Sequence, residues 1–254
     1  MDLGLDGKIA VVTGSSRGIG RGIADQLTRE GASVVYCART EADVRAAQEA
    51  SPGPGPSVAV AADVSTPGGA AALVAAAVDA FGGLDIVVNN VGGSGARTIQ
   101  DMDVGDVEAV LDKNLISAVR VSRAALEPMR ARGGGVICVI ASIFGREQGG
   151  SPSYNLSKAA GISLANSMGR DLAKEGIRAF SVSPGSTRFP GGSWDKRMID
   201  DPEGTMARIS ADVPWGRFGT VEEIADVVTF LCSPRASWVV GTSVVVDGGQ
   251  SRAF

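Results

Sequence analysis

Short apolar runs alternate along this chain with longer stretches in which apolar residues recur every three or four positions. Ile9-Ala10-Val11-Val12, Ser33-Val34-Val35-Tyr36-Cys37-Ala38-Arg39, residues 57–61, residues 84–88, residues 136–141, residues 178–182 and residues 243–246 are the runs. Because they do not alternate with polar positions, they read as strands covered on both faces. Helical spacing falls between them, beginning with Ile23, Ala24 and Leu27 and continuing over residues 41–50, 69–81, 104–129, 153–174 and 221–231. Strict strand and helix alternation predicts an α/β fold: one domain over residues 1–254, with a doubly wound parallel sheet of about seven strands and helices on both faces. Two segments break the rhythm. Ser51-Pro52-Gly53-Pro54-Gly55-Pro56 can be neither helix nor central strand and predicts a surface loop. Residues 188–213 open with the turn formers Phe189-Pro190-Gly191-Gly192-Ser193-Trp194, and predict a lid or substrate loop over about 186–213.

Composition narrows the chemistry. The chain has 254 residues, 44% apolar and 20% charged, with 35 glycines and few aromatics, which suits small, closely packed elements joined by tight turns. A formal charge of −4 with no concentrated basic run argues against a nucleic-acid partner. Histidine is absent, so a Ser-His-Asp triad, a Cys-His dyad and a histidine-ligated metal are all excluded, and no metal site is expected. Three separated cysteines, Cys37, Cys138 and Cys232, predict buried free thiols rather than a disulfide frame. The acidic start Met1-Asp2-Leu3-Gly4-Leu5-Asp6 has no apolar signal segment, and no stretch suits a membrane span; a soluble cytoplasmic protein is the expectation.

The first strand runs into Thr13-Gly14-Ser15-Ser16-Arg17-Gly18-Ile19-Gly20 and then a helix. That order places backbone N–H groups and a helix N-terminus against a pyrophosphate, and the glycines let the phosphates approach. Gly14, Ser16, Arg17, Gly18, Ile19 and Gly20 are therefore candidate nucleotide contacts, although a glycine loop alone could be a structural turn. NAD sites usually place an acid at the tip of the second strand to hold the ribose hydroxyl, whereas a 2′-phosphate needs a cation. Here the tip carries Ala38 and Arg39, with Arg17 as a second cation and no acid before Glu41, so NADP(H) is favoured over NAD(H). An ordinary exposed arginine would look the same. Asp63-Val64 after the third strand could meet the adenine, or the aspartate could serve only as a cap. Asn89-Asn90-Val91-Gly92 ends the fourth strand, where an asparagine can tie neighbouring strand ends and a glycine leaves room beside the cofactor.

Ser142 closes the fifth strand, and Tyr154-Asn155-Leu156-Ser157-Lys158 opens a long helix. Residues four apart share a helix face, so Tyr154 and Lys158 project side by side. A free phenol titrates near about pH 10, and an adjacent cation favours its ionised form, which would suit Tyr154 to acid–base work. Ser142 could hold the oxygen that the tyrosine serves, and Phe144, two residues on, is a further candidate substrate contact. On its own the Tyr-x-x-x-Lys pair could equally be a partly buried tyrosine beside a solvated lysine.

The ordered set, the glycine loop, Asn89-Asn-Val-Gly92, Ser142 and Tyr154-x-x-x-Lys158, resembles the short-chain dehydrogenase/reductase family over essentially the whole chain, nearest the branch of 3-oxoacyl-acyl-carrier-protein reductase-like enzymes. The resemblance implies a Rossmann-like sheet and hydride transfer between NADP(H) and a carbonyl or secondary alcohol. It implies that Ser142, Tyr154 and Lys158 are catalytic, and that Tyr154 and Lys158 also meet the cofactor ribose. Asn114 would interrupt its helix and hold a water that links the lysine to solvent. Pro184-Gly185 would lie against the nicotinamide. The family commonly has threonine four residues beyond that glycine; here Phe189 stands there, and Thr187 is the candidate replacement for its polar contact. Trp194 and Met198 could wall an apolar substrate, or simply pack within the lid. Relatives imply a homotetramer, or a homodimer. The alternatives are an NAD-dependent alcohol or sugar dehydrogenase of the same family, and a nucleotide-binding protein without turnover. The substrate itself is not specified.

Overall fold

The computed structural model describes residues 1–253. Seven strands form one sheet in the order β3-β2-β1-β4-β5-β6-β7, and every neighbouring pair is parallel. They are β1 (Ile9–Thr13), β2 (Ser33–Ala38), β3 (Ser57–Ala61), β4 (Ile86–Asn89), β5 (Gly135–Ile140), β6 (Ile177–Pro184) and β7 (Ser243–Val246). The helices between them are α1 (Gly18–Arg29), α2 (Glu41–Glu49), α3 (Pro67–Phe81), α4 (Val104–Leu111), α5 (Ser117–Ala131), α6 (Pro152–Leu172), α7 (Ser193–Asp200), α8 (Pro202–Asp212) and α9 (Val221–Cys232). This is the expected Rossmann-like architecture.

The unbroken apolar runs are explained by cover on both faces. Along β1, Ala10 and Val12 join the core under α1 and α9, while Ile9 and Val11 join the core under α3 and α5. Successive strand side chains point to opposite faces, so a strand walled on both sides has no polar position to spare. Cys37, Cys138 and Cys232 are buried free thiols, and Cys138 and Cys232, remote in sequence, are neighbours across β5 and α9.

Helix 104–129 is interrupted at Asn114, as the family resemblance implied: a π turn at Asp112–Ile116 separates α4 from α5. Two details differ from the expectation. Residues 188–213 are not an irregular loop: after the glycine turn the chain forms α7 and α8, the second started by Asp201, whose side chain accepts the Gly204 N–H, and by Pro202. The fourth strand begins at Ile86 because Asp85 is held outside it, accepting the Ile9 N–H at 2.9 Å and the Arg132 guanidinium at 2.9 Å.

Candidate active site

The chain order reverses between β1 and β4, and the carboxyl ends of these strands open on the cleft. Thr13 and Asn90 join the two tips. The Thr13 hydroxyl accepts the N–H of Asn90 at 2.8 Å and of Val91 at 3.1 Å, while Asn90 Nδ2 donates to the carbonyls of Thr13 at 3.0 Å and Gly14 at 3.2 Å. The expected tie between strands is thus made by Asn90. Asn89 instead donates to Ser122 at 2.9 Å.

This junction forms the floor of the glycine loop. Gly14 and Gly18 have φ of +65° and +58°, a region costly for residues with a Cβ. A Cβ on Gly20 would lie 2.3 Å from Asn90 Nδ2 and 2.5 Å from the Gly14 carbonyl oxygen. α1 then starts with no side-chain cap and no acid in its first turn, leaving its N–H groups for an anion. A pyrophosphate fits this cradle. Gly14, Ser16, Arg17 and Ile19 line the cleft, with Arg39 at the tip of β2 and Asp63 and Val64 beyond β3. Arg17 and Arg39 are exposed, and among the described residues neither forms an ion pair. Asp63 accepts the backbone N–H and the hydroxyl of Ser65, so it serves as a turn cap as well as a cleft residue.

The reaction end is built from β5, α6 and the π turn. Ser142 is buried at the end of the β5 run, its Oγ accepting the Phe144 N–H at 3.2 Å. Tyr154 is half-buried, with its phenol turned into protein beside the Ser142 hydroxyl. Lys158 Nζ lies 5.6 Å from the Tyr154 ring centre and donates to the Ile140 carbonyl at 2.7 Å. The two project side by side as their spacing requires, but the expected effect on the phenol does not follow. Burial raises the Tyr154 pKa above its ordinary value, and the Ser142 hydroxyl opposes this only in part. The ammonium that was to lower it is held by Ile140 instead, and burial pushes Lys158 down to about 8.

That shift has a measurable consequence. An unfolded lysine keeps its proton to its ordinary 10.5, whereas the folded one releases it near 8. Between those values the unfolded chain binds more protons, so stability rises with pH, and below pH 8 the buried charge costs about 3 kcal/mol. Urea denaturation of the parent and Lys158→Met across this range should show the parent gaining on the variant from pH 8 to 10.5. A constant difference would mean that the lysine is not desolvated.

Asn114 is buried in the π turn, its Oδ1 accepting the Gly93 N–H at 2.8 Å and its Nδ2 donating to the Gly93 carbonyl and to Ser157 Oγ, each at 2.8 Å. Both donors are therefore committed to fixing the segment after β4 against α6. Gly92 leaves room beside the lysine, since a Cβ there would stand 3.3 Å from Lys158 Nζ. Phe144 lines the cleft with its ring against Gly149, where a Cβ would come within 2.0 Å of it.

Pro184 ends β6, and Gly185 turns the chain against the segment after β7: its N–H donates to Val246 at 3.0 Å, and a Cβ would meet Asp247 at 2.6 Å. The Thr187 hydroxyl donates to the Gly185 carbonyl at 3.2 Å, so it bonds within its own turn. Phe189 reaches the opposite wall. Its ring covers Gly18, where a Cβ would be 2.7 Å from Phe189 Cε2, and Arg17 donates to the Gly191 carbonyl at 3.4 Å nearby. Trp194 lines the cleft 5.3 Å from the Phe218 ring, so it both walls the cavity and packs within its own layer. Met198 is half-buried and is not part of the cleft wall.

All these elements border one cleft of about 1810 Å³. It is basic, with nine lysines and arginines against four aspartates on its wall, in a chain of net charge −4. Sequence reading found no concentrated basic run because the cations come from separate elements. Arg97, Lys196, Arg197 and Arg208 were not among the expected site residues; for Arg97 the available signal was a polar segment following a strand tip.

The family model described as Enoyl-(Acyl carrier protein) reductase matches residues 14–251. A 3-oxoacyl-[acyl-carrier-protein] reductase FabG of Vibrio cholerae is 34% identical over 249 residues, covering 98% of this chain and 99% of its own. Among solved structures, L-sorbose reductase from Gluconobacter frateurii, complexed with NADPH and L-sorbose, superposes with a TM-score of 0.93 at 34% identity and covers 100% of both chains. A 7 alpha-hydroxysteroid dehydrogenase, complexed with NADH and 7-oxo glycochenodeoxycholic acid, gives 0.90 at 31% identity, covering 99% of this chain and 97% of its own.

Proposed function

The chain belongs to the short-chain dehydrogenase/reductase family and is an NAD(P)(H)-dependent oxidoreductase working between carbonyl and alcohol groups, and from this premise we propose that it reduces ketones with NADPH through Tyr154 as general acid. The observation that carries the reading is the convergence of Ser142, Tyr154 and Lys158 on the same cleft as the glycine cradle. When bound, the nicotinamide supplies the hydride. Ser142 hydrogen-bonds the substrate oxygen and holds it at the phenol. Tyr154 gives that oxygen its proton, the phenol being protonated at neutral pH with a pKa above its ordinary value. Lys158 lies beside Gly92 and would hold the ribose hydroxyls of the bound nucleotide. Asn114 fixes the backbone of Gly93, next to Gly92, where a Cβ would face Lys158. Oxidation of an alcohol needs the phenolate, so the reverse reaction should accelerate as pH rises while reduction does not.

NADPH is the preferred cofactor in this reading, because Arg39 and Arg17 face the cleft without carboxylate partners. A screen of ketones and alcohols with both cofactors, followed at the nicotinamide absorbance, tests the activity. Arg39→Asp should lower kcat/KM for NADPH relative to NADH by about 10- to 100-fold, the value of one or more hydrogen bonds to a charged phosphate. Tighter binding of NADH by the parent would favour the NAD-dependent alcohol or sugar dehydrogenase reading instead.

The same proposal places the protein in the cytoplasm as a homotetramer, with residues 186–213 as the substrate lid. No helix is long and apolar enough to cross a membrane among the described residues. Exposed Leu156 on α6, Val119 on α5 and Trp238 supply apolar surface for subunit contacts. Light scattering decides the assembly, and a monomer at working concentration would remove that part of the reading.

A further inference from the structure

Two arginines from two helices meet at one aromatic ring, and a third from another segment faces the same cleft. Arg197 of α7 and Arg208 of α8 place their guanidinium carbons 4.8 Å and 5.7 Å from the centre of the Trp194 ring. Arg97, from the segment after β4, lines the same cleft. Its neighbour Gly95 abuts the first turn of α6, where a Cβ would lie 2.6 Å from Ser153 Oγ, next to Tyr154. Arg97 thus springs from the segment that borders the reaction end, and Arg197 and Arg208 line the same cleft, whereas Arg39 lies at the tip of β2.

The charges are poorly compensated. Arg208 has Asp212 at 3.3 Å, but among the described residues Arg97 and Arg197 have no carboxylate within ion-pair distance. Asp200 also lines the cleft, one turn from Arg197 on α7, without pairing to it, and Lys196 adds a further cation. Partial burial first, then repulsion from Arg208 and Arg97, holds the Arg197 guanidinium below its ordinary range. Like charges gathered on a wall with little acid to balance them are stabilised by an anion from outside. Contact with the ring face steadies a guanidinium while leaving its edge N–H groups free for an oxyanion.

Resting on the reductase reading above, we propose that the substrate is an anionic carbonyl compound, whose carboxylate or phosphate-type oxyanion is held by Arg97, Arg197 and Arg208 while its body lies against Trp194. This group is on the substrate, remote from its carbonyl, and is distinct from the phosphates of the cofactor. The arginines act as specificity determinants, and the proton and hydride steps are those already described.

The test uses straight-chain oxo-carboxylates and oxo-phosphonates of graded length, each paired with its methyl ester, at low and high salt with NADPH. At the best chain length the free acid should exceed its ester in kcat/KM by about tenfold or more. That ratio should collapse toward one in Arg197→Gln and Arg97→Gln, and shrink with added salt. Calorimetry of the same acids and esters with the NADP(H)-loaded Tyr154→Phe protein reads the preference without turnover, and the choice between carboxylate and phosphonate identifies the oxyanion. Esters equal to or better than acids at every length, or a ratio unchanged in both arginine variants, overturns the proposal. If esters are reduced as well as acids and the reaction still depends on Tyr154, only this inference fails. If acids bind preferentially but nothing is reduced, the reductase reading fails and the anion site remains.

Discussion

Tyr154→Phe should lower kcat by about 10²- to 10⁴-fold while leaving NADPH binding within a few-fold of the parent. The substitution removes one oxygen and keeps the ring that packs against Lys158 and Gly150, so the fold has little reason to change. The protonated phenol is the form that donates in reduction, and with its pKa above the ordinary value Tyr154 holds its proton at neutral pH. Stopped-flow single turnover separates the proton step from cofactor binding, which is read independently by nucleotide fluorescence. A variant within a few-fold of the parent would show that another group delivers the proton, and would remove the central element of the functional reading.

Gly20→Ala should cost about 1–3 kcal/mol of stability and lower NADPH affinity by about 10²-fold. The added methyl would press on the Asn90 amide at 2.3 Å and on the Gly14 carbonyl at 2.5 Å. The amide could rotate away, but only by giving up its bonds to Thr13 and Gly14; the carbonyl belongs to the loop itself. Either movement opens the phosphate cradle. Gly68→Ala is the matched control, since a Cβ there meets nothing within 4 Å and lies in the first turn of α3. Equal melting temperatures and equal NADPH titrations for the two variants would refute the steric account.

The sheet was legible because its inner strands are short and mostly apolar, and double cover demands that pattern; the edge strand β3 at Ser57–Ala61, only partly buried, still emerges with the expected limits. Tyr154 and Lys158 were legible as neighbours because helical spacing alone decides it. Their electrostatics were not: where Nζ points depends on the free carbonyl of Ile140, eighteen positions earlier and on another element. Phe189 could be seen as a departure from the family pattern, yet its contact with Gly18 depends on how the chain returns from β6 across the cleft. Residues 188–213 looked irregular because the glycine turn at their start masks two short helices, of which α8 is started by the Asp201 cap and α7 has no side-chain cap, and neither shows a long apolar face. The arginine cluster was invisible for a similar reason. Arg97 and Arg197 are a hundred residues apart, and only the folded chain brings them to one cleft.

The wide turn at Asp112–Ile116 carries one residue more than the α-helical turn it replaces. Deleting a single residue there would restore ordinary helical register while α4 and α5 kept their phase, with Val121, Ala125 and Met129 still facing inward. Architecture does not require the extra residue. Such a shortened chain should fold and melt much like its parent yet leave the Gly93 backbone without its amide clamp, so tolerance of the fold and tolerance of the chemistry would part company at this one position.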